Sequence, residues 1–134
     1  YTATQYNISE FISRGGKQLF FHGEADPWFS ANETERYFNA MAASNASLKS
    51  VAEYSRLYLV PGMAHCAGGE QTLDNFDMLT PLVAWVENDQ PPAAIDATGQ
   101  SMPGESRPLC PYPAYTHFDG GDASEAGSYS CRMP

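Results

Sequence analysis

The sequence predicts an α/β chain: about two to three parallel strands with flanking helices, followed by an irregular tail. Three observations carry this reading. Two short apolar runs, Lys17–His22 and Ser55–Val60, sit between turn residues and suit strands buried on both faces. A stretch of helical period lies between them. From Pro91 onward, proline, glycine and small polar residues dominate.

Each element follows from local signals. Ile8 to Ser13 reads as the end of a helix, stopped by Gly15-Gly16. After the run Lys17–His22, Gly23 permits a sharp turn. Pro27 pushes Asp26 towards an extended backbone, so its carboxylate projects at a strand exit. Ser30-Ala31-Asn32-Glu33 predicts a capping box at the start of a helix over about 31–44. Tyr37, Phe38, Met41 and Ala42 form its apolar stripe, a core face rather than a cofactor site. The second strand stops at Pro61-Gly62 and delivers His65 and Cys66, side by side, onto a loop that runs through Gly68-Gly69. A helix is expected over 74–88, with Phe76, Leu79, Leu82, Val83 and Val86 on one side and Trp85 beside them. Pro81 kinks it or moves its true start to near Asp77.

Residues 1–95 are thus expected to hold the strands and helices. Residues 96–134 are expected to form an irregular surface tail of the same domain, stapled by Cys110 and Cys131. A bridge closing that loop removes on the order of 3 kcal/mol of unfolded-chain entropy. Two or three strands cannot cover their own apolar faces. The chain is therefore expected to be the C-terminal part of a larger sheet, with the remainder on another segment or a partner chain.

The 134 residues carry a net charge of −9 and a pI of about 4.5, which argues against nucleic acid and anionic membrane surfaces as partners. No run reaches the roughly 18 apolar residues of a membrane span. Tyr1-Thr2-Ala3-Thr4-Gln5 has no basic start and no apolar core, so the chain reads as a mature product or a fragment. Sequons at Asn7, Asn32 and Asn45 lean towards a secreted glycoprotein. The cysteine count is odd. With Cys110 paired to Cys131, Cys66 is left for another polypeptide segment or as a free thiol.

Asp26 and His65 follow consecutive strands, as do the acid and base of a Ser…Asp…His triad in the chain order of α/β-hydrolases. The competing reading has Asp26 capping a turn and His65 as an ordinary loop residue. His22, Asp26, His65 and Cys66 are all possible zinc ligands, but no CxxC or HExxH spacing supports a metal site, and none is expected. His22 reads as a satisfied polar residue ending its strand, and His117 carries no motif. No GxSxG occurs. Ser101 and Ser128 lack a strand–turn–helix context, and Cys66 adjoins His65 too directly to be its nucleophile. The nucleophile is expected outside this sequence.

Several stretches resemble the C-terminal portion of the tannase and feruloyl esterase family: Gly15-Gly16-Lys17, His22-Gly23 with Asp26-Pro27, Val60-Pro61-Gly62-Met63-Ala64-His65-Cys66, Gly68-Gly69, Phe76-Asp77, Trp85-Val86-Glu87 and Arg107-Pro108-Leu109-Cys110-Pro111-Tyr112-Pro113. The resemblance implies an α/β-hydrolase with a large lid in the part not shown. It makes Asp26 the triad acid and His65 the base. It joins Cys66 by a disulfide to a cysteine beside the catalytic serine, and pairs Cys110 with Cys131. It implies no cofactor for catalysis, although a structural calcium in the lid is possible, with its ligands outside this chain. The implied substrate is an ester of an aromatic acid, galloyl or feruloyl, and with the sequons the protein is expected to be extracellular. Trp28 and Phe29 line the acyl pocket or pack under their loop. Activity that needs a neutral histidine rises through about pH 5–7. Two other readings remain: a secreted disulfide-stabilised module binding carbohydrate or polyphenol, and a catalytically inactive partner chain.

Overall fold

The computed structural model describes residues 5–134. Its centre is a parallel pair, β1 (Gln18–Gly23) and β2 (Ser55–Val60), in register from Gln18 against Ser55 to Gly23 against Val60. α1 (Ser9–Ser13) precedes β1, α2 (Ala31–Ser44) crosses from β1 to β2, and α3 (Leu79–Asn88) follows. Two antiparallel pairs complete the chain: β3 (Ile95–Thr98) with β4 (Ser106–Leu109), and β5 (Tyr115–Phe118) with β6 (Tyr129–Arg132).

β2 is the wall between two cores, because successive side chains of a strand face opposite ways. Leu57 faces one cluster with Ile12, Phe38, Met41 and Tyr54. Tyr58 and Val60 face the other, with Met63, Leu73, Ile95, Ala97 and Leu109. Burying an aliphatic or aromatic side chain of this size is worth about 1.5–3 kcal/mol. β1 pairs with β2 alone among the described residues, and Phe21 is exposed. The strand expected to be buried on both faces is therefore open on one side.

The tail is not an irregular surface appendage. Its Ala97 and Leu109 lie in the core beside Ile95, which just precedes it, and the Tyr112 N–H donates to the Leu57 carbonyl at 2.7 Å, covering the outer edge of β2. The alternation of β3, buried at Ile95 and Ala97 and exposed between, is the strand signal that the proline and glycine content masks. The Cys110–Cys131 disulfide is present and ties the end of β4 to β6.

Two other expectations, the capping box and the apolar face of the third helix, need correction, and for Pro81 the alternative of a helix starting near Asp77 holds. The Ser30–Glu33 capping box does not close: Ser30 accepts from the Asn32 N–H, while Glu33 reaches forward to Arg36. A reciprocal box forms instead between Ser50 and Glu53, on a single 3₁₀ turn before β2. α3 begins at Leu79, where the Asp77 carboxylate accepts the N–H groups of Leu79 and Thr80, so Pro81 falls in the first turn and breaks nothing. Its buried residue is Trp85, held between the Lys17 ammonium and the Arg56 guanidinium at 5.1 and 4.9 Å from the ring centre. Leu79, Val83 and Val86 face outwards.

Candidate active site

Parallel strands end on one edge, so the loops after β1 and β2 lie side by side. Backbone bonds zip them together. The Glu24 N–H donates to the Val60 carbonyl and the Ala25 N–H to the Met63 carbonyl, both at 3.0 Å. A Cβ on Gly23 would lie 2.2 Å from the Met63 oxygen and 2.4 Å from that of Ala64. Only glycine allows this approach.

The Asp26 side chain is divided between two tasks. Its Oδ1 accepts the N–H groups of Trp28 and Phe29 at 2.8 and 3.0 Å, closing a turn that fixes the carboxylate plane. Its Oδ2 accepts from His65 Nδ1 at 2.7 Å. An ionised carboxylate only accepts, so the proton of neutral His65 sits on Nδ1 and Nε2 keeps a lone pair. Burial pushes the Asp26 carboxyl up. The hydrogen bonds from His65, Phe29 and Trp28, together with the His65 charge, outweigh burial and hold it at about 2. The Asp26 side chain is 3% exposed and that of His65 37%. This is an oriented, outward-facing base backed by a buried anion, which can take a proton from a nucleophile and return it to a leaving group.

The His65 loop is closed at its base. The Ala64 N–H donates to the Gly68 carbonyl at 2.8 Å, and the Gly68 N–H donates to Asp74 Oδ2 at 2.7 Å. Asp74 was not foreseen as a site residue, and no local motif marks it. Cys66 is exposed, unbonded among the described residues, and held at φ +65°. A non-glycine residue there is disfavoured by about 1–2 kcal/mol. Trp28 and Phe29 do not pack under their loop. They are 73% and 58% exposed, with ring centres 5.0 and 5.4 Å from that of His65.

The remaining candidates fall elsewhere. Ser101 Oγ accepts from the Thr72 N–H and donates to the Thr72 carbonyl, so it braces a loop. Ser128 ends a 3₁₀ turn in the tail, and His117 lies on β5 beside Tyr115. The imidazoles of His22 and His65 are both engaged with Asp26, and among the described residues no group of three or more His, Cys, Asp or Glu side chains is arranged to hold a metal ion. Asn45 is not an exposed glycan acceptor. It is fully buried, its Oδ1 accepting the Ile8 N–H and its Nδ2 donating to the carbonyls of Tyr6 and Met41. Asn7 and Asn32 are exposed.

A family model described as tannase and feruloyl esterase matches residues 1–132. The chain is 42% identical over 139 residues to a mono(2-hydroxyethyl) terephthalate hydrolase of Piscinibacter sakaiensis, covering 98% of this chain and 22% of that protein. It is 40% identical over 133 residues to an uncharacterised esterase of Agrobacterium fabrum, covering 96% and 24%. Among solved structures, feruloyl esterase B from Aspergillus oryzae superposes with a TM-score of 0.80 at 25% identity, over 96% of this chain and 29% of that one. The chain thus spans between 22% and 29% of the length of these proteins.

Proposed function

This chain belongs to the tannase and feruloyl esterase family, and from that premise we propose that it carries the acid and base of a serine carboxylic ester hydrolase. The observation that carries the proposal is the 2.7 Å bond from His65 Nδ1 to Asp26 Oδ2 across two adjacent strand exits. A serine supplied by the rest of the family's fold attacks the ester carbonyl. His65 Nε2 accepts the hydroxyl proton and then gives it to the departing alcohol. Asp26 holds the tautomer and stabilises the imidazolium. Water then hydrolyses the acyl-enzyme with His65 again as base.

The proposed substrates are esters of aromatic acids, galloyl or feruloyl. The exposed pair Trp28 and Phe29 against His65 supports this, because aromatic faces there can stack on a planar acyl group. The relative acting on mono(2-hydroxyethyl) terephthalate supports it too. We also propose that Cys66 bonds to a cysteine beside the serine. Its exposure, its left-handed backbone and its place after His65 suit a bridge tying the two catalytic loops together. The open edge of β1 and the outward apolar face of α3 support a further part of the same sheet packing here. Secretion, with glycans at Asn7 and Asn32, belongs to the same proposal. A binding module without catalysis leaves the Asp26–His65 pair unexplained.

The test is His65→Ala in the complete enzyme. Turnover of methyl gallate or methyl ferulate should fall at least about 10³-fold with the thermal midpoint unchanged. Retention of most activity refutes the assignment.

A further inference from the structure

The polar chain at the active-site edge does not stop at Asp26. The Nε2 of His22, on β1, lies 3.0 Å from the Phe29 carbonyl and 3.4 Å from Asp26 Oδ2. On its other side, Nδ1 lies 2.7 Å from the Thr34 hydroxyl, in the first turns of α2. A carbonyl only accepts, so in the neutral ring Nε2 carries the proton and donates to Phe29. Nδ1 then accepts from Thr34. The Phe29 carbonyl thereby selects the His22 tautomer, Thr34 holds the ring from the other side, and His22 in turn anchors the far end of the turn whose N–H groups grip Asp26 Oδ1. The same N–H edge faces Oδ2, the oxygen that receives the His65 bond.

We propose that His22 is a positioning residue of the triad, and that Thr34 fixes the orientation of its ring. The inference rests on the esterase reading above. A ring that merely satisfied the end of β1 would need one partner. This ring instead joins β1, the Asp26 turn and α2 at one point, only 14% exposed at its side chain. The orientation of Asp26 therefore depends on where α2 packs, and the aromatic ring of Phe29 beside His65 shares that anchor.

The experiment uses the complete enzyme with methyl ferulate or methyl gallate, whichever the wild type hydrolyses, and reads kcat and KM separately. In His22→Ala, kcat should fall about 10- to 100-fold with KM within about twofold, the scale of a sub-ångström to 1 Å misplacement of a catalytic group. His22→Gln should recover most of the loss, because its amide N–H reaches the Nε2 position. His22→Asn should not, because its amide reaches only the Nδ1 position facing Thr34. Should His22→Ala fail to fold, Thr34→Val decides: kcat falls several-fold while Thr34→Ser stays near wild type. Wild-type kcat in His22→Ala, or in Thr34→Val, overturns the inference, as does equal loss in the Gln and Asn variants. His65→Ala, measured alongside, separates the two failures. An active His65→Ala enzyme sinks the esterase reading, whereas an inactive one beside a fully active His22→Ala sinks this inference alone.

Discussion

Gly23→Ala should damage catalysis without touching any polar group of the site. The added Cβ would stand 2.2 Å from the Met63 carbonyl oxygen, where ordinary contact begins near 3.4 Å. The obstacle is backbone, not a flexible side-chain end, so the two strand exits must part by roughly 1 Å. That movement pulls directly on the bonds from Glu24 to Val60 and from Ala25 to Met63. It also stretches the 2.7 Å Asp26–His65 bond past the range of a good hydrogen bond, about 3.2 Å. A displacement of this size costs about 10²-fold in turnover, and the overpacking costs about 1–3 kcal/mol of stability. The assay is kcat and KM on methyl ferulate or methyl gallate, with thermal unfolding followed by circular dichroism. Gly127→Ala is the control, since a Cβ there meets nothing within 4 Å. It should match wild type in both measurements. A Gly23→Ala enzyme with unchanged midpoint and kcat within twofold of wild type would refute the argument that close approach of the two exits builds the site.

Three further outcomes are expected. Asp74→Ala should free the Gly68 N–H and loosen the His65 loop, lowering kcat about tenfold; Asp74→Asn, which keeps an acceptor, should restore most of it, and equal loss in both would count against the clamp. Replacing Cys110 and Cys131 together by serine should lower stability by about 3 kcal/mol in urea unfolding, because the bridge closes a loop with a sequence separation of 21; an unshifted midpoint would contradict this. Burial pushes the Tyr58 hydroxyl up to about 12, although the Arg56 charge pulls partly back, and the hydroxyl donates to the Ala93 carbonyl. Unfolded tyrosine ionises near 10. The folded state therefore favours the neutral form, and this contribution is complete below pH 10 and lost as pH rises through about 12. Wild type should lose more stability than Tyr58→Phe between those limits, and parallel curves for the two proteins would refute the linkage.

Much of the site was legible in the chain itself. Apolar runs bounded by turn residues located β1 and β2, and the helical period located α2, because these signals depend on neighbours in sequence. Parallel order then put the residues following both strands, Asp26 and His65, on one edge. The odd cysteine count left Cys66 over once Cys110 and Cys131 were paired. What the chain could not announce is every feature made by residues that meet only after folding. The Asn7, Asn32 and Asn45 sequons look alike as tripeptides, yet Asn45 is buried and accepts from Ile8, 37 residues away. Ser30 and Ser50 carry the same capping pattern, and only the second closes, since Glu33 finds Arg36 instead. α3 turns Trp85 inwards, away from its broader apolar face, where Lys17, just before β1, and Arg56 on β2 meet the ring. The roles of His22 and Asp74 arise in the same way. A hydrogen bond or a packed ring needs both partners within a few ångströms. Sequence supplies the partners, but only the packed tertiary structure sets their separation.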